Sequence, residues 1–92
     1  MKSIIQTEKE CFLCGSTQSL ECHHVLFGRG LRPVADKLGL KVWLCPLHHR
    51  HPTEGVHGNR MLDLKLKQIA QKTYEQNHTR DEWMKRIKRN YL

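Results

Sequence analysis

The chain has 92 residues, of which 38% are hydrophobic, with two Trp, two Tyr and two Phe, and its net charge is +7 with histidines neutral. That composition describes one small domain with a modest core, for which a bound metal is an expected staple. No apolar run approaches a membrane span and no signal-peptide pattern opens the chain, so a soluble cytoplasmic protein is expected, its charge favouring nucleic acid over an anionic membrane as partner.

Residues 1–10 form a polar lead-in around the apolar pair Ile4 and Ile5. "CFLCG" (Cys11–Gly15) reads as a tight turn in which Gly15 takes a positive φ. "SLECHHVLF" (Ser19–Phe27) has strand character, and "GRGLRP" (Gly28–Pro33) reads as a loop. "VADKLG" predicts a single helical turn closed by Gly39, and "LKVWLC" (Leu40–Cys45) predicts a second strand that completes a hairpin. Pro46 stands at a possible first helical position, and Pro52 and Gly55 cut that segment off. The spacing of Leu62, Leu66, Ile69 and Thr73 predicts a long helix over 59–76, capped by Asn59 or the residue before it. Thr79 and Glu82 make a capping-box pattern for a last helix over 79–92, with Trp83, Met84 and Ile87 apolar and Lys85, Arg86, Lys88 and Arg89 outside. Those basic residues either extend a DNA footprint or remain solvated.

Cys11-x-x-Cys14 and Cys45-x-x-His48 are two ligand pairs of equal spacing on either side of the predicted hairpin. A two-residue gap lets a tight turn aim both side chains at one ion, and four such ligands close a tetrahedral structural zinc site. A disulfide or a redox CxxC is the alternative, but the first suits an oxidising compartment and the second a βαβ context. Cys22 is expected to be a small buried hydrophobe. Of the remaining histidines, His23, His24, His49, His51 and His57 crowd the same region, while His78 lies at a helix end. Such a cluster suggests a second, open metal site; the alternative is one zinc site with ambiguous ligands.

Together "CFLC…ECHH…LCPLHHR…GVHGN" resembles the HNH endonucleases, the ββα-metal nucleases, in their zinc-stapled form. It looks most like the small phage and prophage proteins of that family, and is more loosely similar to phage recombination-enhancement nucleases. The resemblance covers about 11–75 and implies a small α+β fold. That fold is zinc-stabilised, ββα-metal and treble-clef-like, with a zinc knuckle, a β-hairpin and a long helix together spanning 11–76 and an extra basic C-terminal helix over 79–92. By position it implies Cys11, Cys14, Cys45 and His48 as structural zinc ligands and His23 as a ligand of a catalytic divalent metal such as Mg²⁺, Mn²⁺ or Ni²⁺. It implies His24 as the general base and His49 as a further ligand, with His57 completing the set and His51 as its competitor.

The family's middle Asn is missing between residues 25 and 44; Lys41, Asp36, Asn59 or a backbone carbonyl would have to orient the base. Arg50 is placed to contact the phosphate, and Arg29, Arg32, Lys41 and Arg60 the nucleic-acid backbone. The implied activity is DNA cleavage or nicking in the cytoplasm of a bacterial host. The competing reading is a non-catalytic zinc module that binds DNA or a phage packaging or recombination protein. A flat strand would send His23 and His24 to opposite faces, so a bend or bulge is expected there.

Overall fold

β1, Glu21–His24, pairs antiparallel with β2, Lys41–Leu44, and the connection between them carries helix α1, Leu31–Leu38. These elements and three further helices, α2 (Pro46–Arg50), α3 (Arg60–Tyr74) and α4 (Arg80–Ile87), belong to a computed structural model of residues Met1–Leu92. The result is a small α+β architecture with one two-stranded sheet and four helices. No helix is long and apolar enough to cross a membrane.

β1 is shorter than the expected Ser19–Phe27. Ser19 has a left-handed φ of 53°, and beyond His24 the chain turns inward to bury Val25 and Leu26 completely. The expected loop Gly28–Pro33 is half helix, because α1 already begins at Leu31 and runs for eight residues. Pro33 is tolerated there since a first-turn residue has no intrahelical partner for its N–H. The register is one-to-one, with His23 opposite Val42 and His24 opposite Lys41, so the expected bulge at the histidine pair does not form.

The outer edge of β2 is covered by the N-terminal residues. Ser3 Oγ donates to the Lys41 carbonyl at 2.5 Å, Trp43 N–H donates to Gln6 Oε1 at 2.8 Å, and Phe12 N–H donates to the Trp43 carbonyl at 2.8 Å. An edge that would otherwise expose unpaired backbone groups is thereby closed.

α2 starts with Pro46 at its first turn, as expected. The chain then folds back: Val56 N–H donates to the His48 carbonyl at 2.9 Å and His57 N–H to the His49 carbonyl at 3.3 Å. This return is so tight that a Cβ on Gly55 would lie 2.5 Å from His51 N, and one on Gly58 would lie 2.4 Å from the Pro52 carbonyl oxygen. Val56, fully inside, anchors it.

Asn59 caps α3 by accepting from the amides of Met61 and Leu62. The buried stripe of α3 is Leu66, Ala70, Gln71 and Tyr74, rotated from the expected one; Leu62 and Ile69 are only partly buried, and Thr73 bonds back to the Ile69 carbonyl at 2.8 Å. Gln71 is tolerated in the core because it donates to Glu75 at 2.6 Å and Asn90 at 2.7 Å and accepts from Tyr91 N–H at 2.8 Å. The capping box of α4 forms as expected on Thr79 and Glu82, and Trp83 and Ile87 are buried. Trp83 Nε1 donates to the Arg89 carbonyl at 2.8 Å, which ties the C-terminal residues onto α3 and α4.

Candidate functional site

The knuckle Cys11–Gly15 closes as a turn, with Gly15 N–H donating to the Cys11 carbonyl at 2.8 Å and Gly15 at φ 80°. It faces the start of α2, so that Cys11, Cys14, Cys45 and His48 converge. All four cysteines of the chain are free thiols. Cys14 and Cys45 sulfurs are 3.8 Å apart, Cys45 Sγ is 3.2 Å from His48 Nδ1 and Cys11 Sγ is 4.0 Å from it. Tetrahedral zinc with ordinary bond lengths sets S···S edges of about 3.8 Å and S···N edges of about 3.5 Å. The four donors therefore fit a tetrahedral ion of that size. Burial pushes the Cys11 thiol up, but the backbone amides of Cys45, Leu13 and Cys14 outweigh it and leave the net shift downward, toward the thiolate a metal requires.

A second group is built from three elements. His23 comes from β1, His49 from α2 and His57 from the folded-back loop, and one ring nitrogen of each lies within 4.8 Å of the others. His49 Nε2 and His57 Nε2 are 3.0 Å apart. His23 Nε2 is buried and has no hydrogen-bond partner, although leaving such an atom unpaired is costly. A metal ion shared with His49 and His57 would satisfy it, so the donor set fits one. His23 is pushed down to about 3, first by burial and then by repulsion from His49 and His57, and is therefore neutral and able to donate its lone pair. Burial likewise lowers His57.

His49 Nδ1 donates to Glu21 Oε1 at 2.6 Å, which leaves Nε2 facing the group. Carboxylate partners of this kind fix the tautomer and the ring orientation of a metal-binding histidine. The bonds from His49 and Arg50 hold the Glu21 carboxyl below the usual carboxylate range. Glu21, which the sequence pattern did not single out, shares its strand face with His23, two residues away, and that alternation is the one signal that could have found it.

His24 takes the opposite face of β1, where its Nε2 lies 3.1 Å from Asp36 Oδ1. Lys41, its cross-strand partner, donates to the same oxygen at 3.0 Å. These two bonds, Lys41 first, hold Asp36 below its ordinary range as a carboxylate. Asp36, one of the residues expected to orient His24, thus meets its ring. Asn59 is instead spent on the α3 cap and on the Thr53 carbonyl.

Although His23 and His24 leave a regular strand on opposite faces, both line one open cavity of about 320 Å³ at the strand end. Its wall also includes Glu21, Cys22, Phe27, Arg32, His49, Arg50 and His57. Arg50 is largely exposed while bonded to Glu21 at 3.0 Å. Of the other expected backbone contacts, Arg29 is exposed in the adjoining loop, and Arg60 lines a separate cavity with Lys67 and Tyr91. Lys41 is buried against Asp36, where a nucleic-acid backbone does not reach it. His51 stays outside the three-histidine group, its Nδ1 accepting from the amides of Thr53 and Glu54 at 3.2 and 3.1 Å. Cys22 is exposed on the cavity wall rather than buried, with its thiol 3.3 Å from Met1 Sδ. His78 is exposed and stacks on Tyr74 at 4.2 Å.

Comparisons of the chain with protein-family models, with curated proteins and with solved structures gave no match.

Proposed function

We propose that the protein is a metal-dependent endonuclease of the HNH, ββα-metal type that cuts or nicks DNA. Its Cys11–Cys14–Cys45–His48 group serves as a structural zinc site in a treble-clef-like fold. One observation carries this reading: His24, bonded through Nε2 to Asp36, lines the same cavity as the converging His23, His49 and His57.

Because Asp36 accepts at Nε2, that nitrogen holds the ring proton and Nδ1 keeps a lone pair. His24 Nδ1 then takes the proton of the attacking water, as general-base catalysis of phosphodiester hydrolysis requires. His23, His49 and His57 would hold a divalent ion, which when bound polarises the phosphate and stabilises the leaving oxygen. Glu21 orients His49 by accepting from Nδ1. Arg32 and Arg50 on the cavity wall position a phosphate, Arg50 through the guanidinium edge not bonded to Glu21.

The test is plasmid nicking by the zinc-loaded protein with Mg²⁺, Mn²⁺ or Ni²⁺ added. Wild type is expected to cut, and His24→Ala to lose about 10²- to 10⁴-fold in rate with its fold intact by circular dichroism. Equal rates would remove His24 as the base. No cutting with any metal would replace the enzyme by the alternative, a zinc-stapled module binding DNA or a phage packaging or recombination protein.

A further inference from the structure

A second cavity, of about 280 Å³, lies between the start of α3 and the C-terminal residues, lined by Arg60, Met61, Asp63, Leu64, Lys67, Arg89 and Tyr91. It does not belong to the histidine site, yet a lining side chain of one cavity touches a lining side chain of the other. Lys67 Nζ lies over the Phe27 ring at 4.4 Å from its centroid, and Phe27 in turn packs on His57 at 5.2 Å and lines the histidine cavity.

The lining combines three kinds of group. Arg60, Lys67 and Arg89 outnumber the one carboxylate, Asp63, which is bonded to Lys67. Apolar surface lies beside them, with Met61 83% and Leu64 45% exposed, unusual positions for such residues on a basic wall. The Arg89 guanidinium lies over the Tyr91 ring at 5.4 Å, and Tyr91 is fixed from behind by Trp83 and by its N–H bond to Gln71. Cations for a phosphate, exposed apolar surface and a held aromatic–guanidinium pair for a base face together describe a nucleotide site.

We infer that this cavity holds an unpaired nucleotide of the strand whose phosphodiester bond lies at the histidine cavity. The base lies against Tyr91, Arg89 and Met61, and its phosphate lies on Arg60. The Lys67–Phe27 pair is the ridge that the strand crosses between the two cavities. The inference rests on the nuclease reading and adds the substrate class: DNA with a single-stranded segment beside the cut, such as a flap, gap or nick.

The test measures binding and cutting separately. Binding of a short fluorescein-labelled single-stranded oligonucleotide to the zinc-loaded chain is followed by anisotropy over a salt series, without added divalent metal. Tyr91→Leu should weaken binding about tenfold while affecting a blunt duplex less, because only an unpaired base offers its face. Arg60→Gln, at an exposed position, should lower the slope of log K against log salt by about 0.7. Arg80→Gln, a surface arginine paired with Glu75 outside the cavity, should change neither. Cutting of a flap substrate with Mn²⁺ is then compared among the same variants. If Tyr91→Leu and Arg60→Gln bind and cut as wild type does, the subsite is overturned and the nuclease stands. If binding depends on both residues but no metal supports cutting, the nuclease reading is overturned and with it the placing of the nucleotide beside a cut bond. Loss of both binding and cutting by the two variants supports the inference.

Discussion

At the scale of the residue, the decisive contacts are those that orient rather than those that react. Asp36 sets which nitrogen of His24 is free, so Asp36→Ala is expected to lower nicking by about tenfold or more with the fold kept, and Asp36→Asn, which still accepts a hydrogen bond, to recover part of it. Nicking rates of the three proteins at equal zinc content check this.

His23 makes a pH prediction. Its pKa of about 3 in the fold lies below the ordinary 6.5, so the unfolded chain binds the proton more readily. The stability it supplies is complete above about pH 6.5 and is lost as pH falls toward 3. Between about pH 7.5 and pH 5 that loss is on the order of 2 kcal/mol. Urea titrations should give His23→Gln a pH dependence smaller by that amount.

The two Cys/His ligand pairs and the histidine doublet were legible because their spacing is local. The partners were not: Glu21 reaches His49 across 28 positions and Asp36 reaches His24 across 12. Asp36 was one of four options for the vacant place, and only the position of α1 brings it to His24.

At the scale of the element, the loop from His51 to Asn59 matters most, since it returns His57 to His49. In the sequence, "HPTEG" reads as a break that weakens the match of His57. In the structure the break is the device that delivers His57, because a continuing helix would carry the chain away. Gly55 has no room for a methyl group against backbone atoms that cannot swing aside. Gly55→Ala is therefore expected to cost about 1–3 kcal/mol and to weaken metal binding at the three-histidine group. A urea midpoint and a Mn²⁺ or Zn²⁺ titration would measure the two effects; unchanged values for both would contradict the fold-back. Helix starts were legible from Pro46, Asn59 and the Thr79–Glu82 box, because caps are written in adjacent residues. The buried face of α3 was not, because Gln71 enters the core on hydrogen bonds from Asn90 and Tyr91 that no periodicity reveals.

At the scale of the molecule, only 20 of 92 residues are buried, too few for the core alone to give a wide margin. The α+β class and the C-terminal helix were legible in the hydrophobic pattern. The coverage of the β2 edge by residues 3–12 was not, since it depends on single side chains such as Ser3 and Gln6 meeting backbone far along the chain. With so small a core, the metal proposed at the sulfur-rich group would be the main staple. Cys14→Ser is expected to abolish the cooperative thermal transition, as is removal of metal by a strong chelator, whereas His24→Ala melts as wild type does. A soluble, cooperatively melting Cys14→Ser protein would contradict the assignment.

Helix α2 is five residues long, and its neighbouring His48 and His49 belong to different groups that could each hold a metal ion. So short a helix has little stability of its own and persists because its ends are held. The two centres are therefore ranked rather than equal. An ion bound at His48 would organise the turn that presents His49, whereas an ion at His49 would have no comparable grip on the cysteines. On the proposed nuclease reading, metal starvation would silence cutting while the fold endures, and only deeper depletion would dissolve the fold itself.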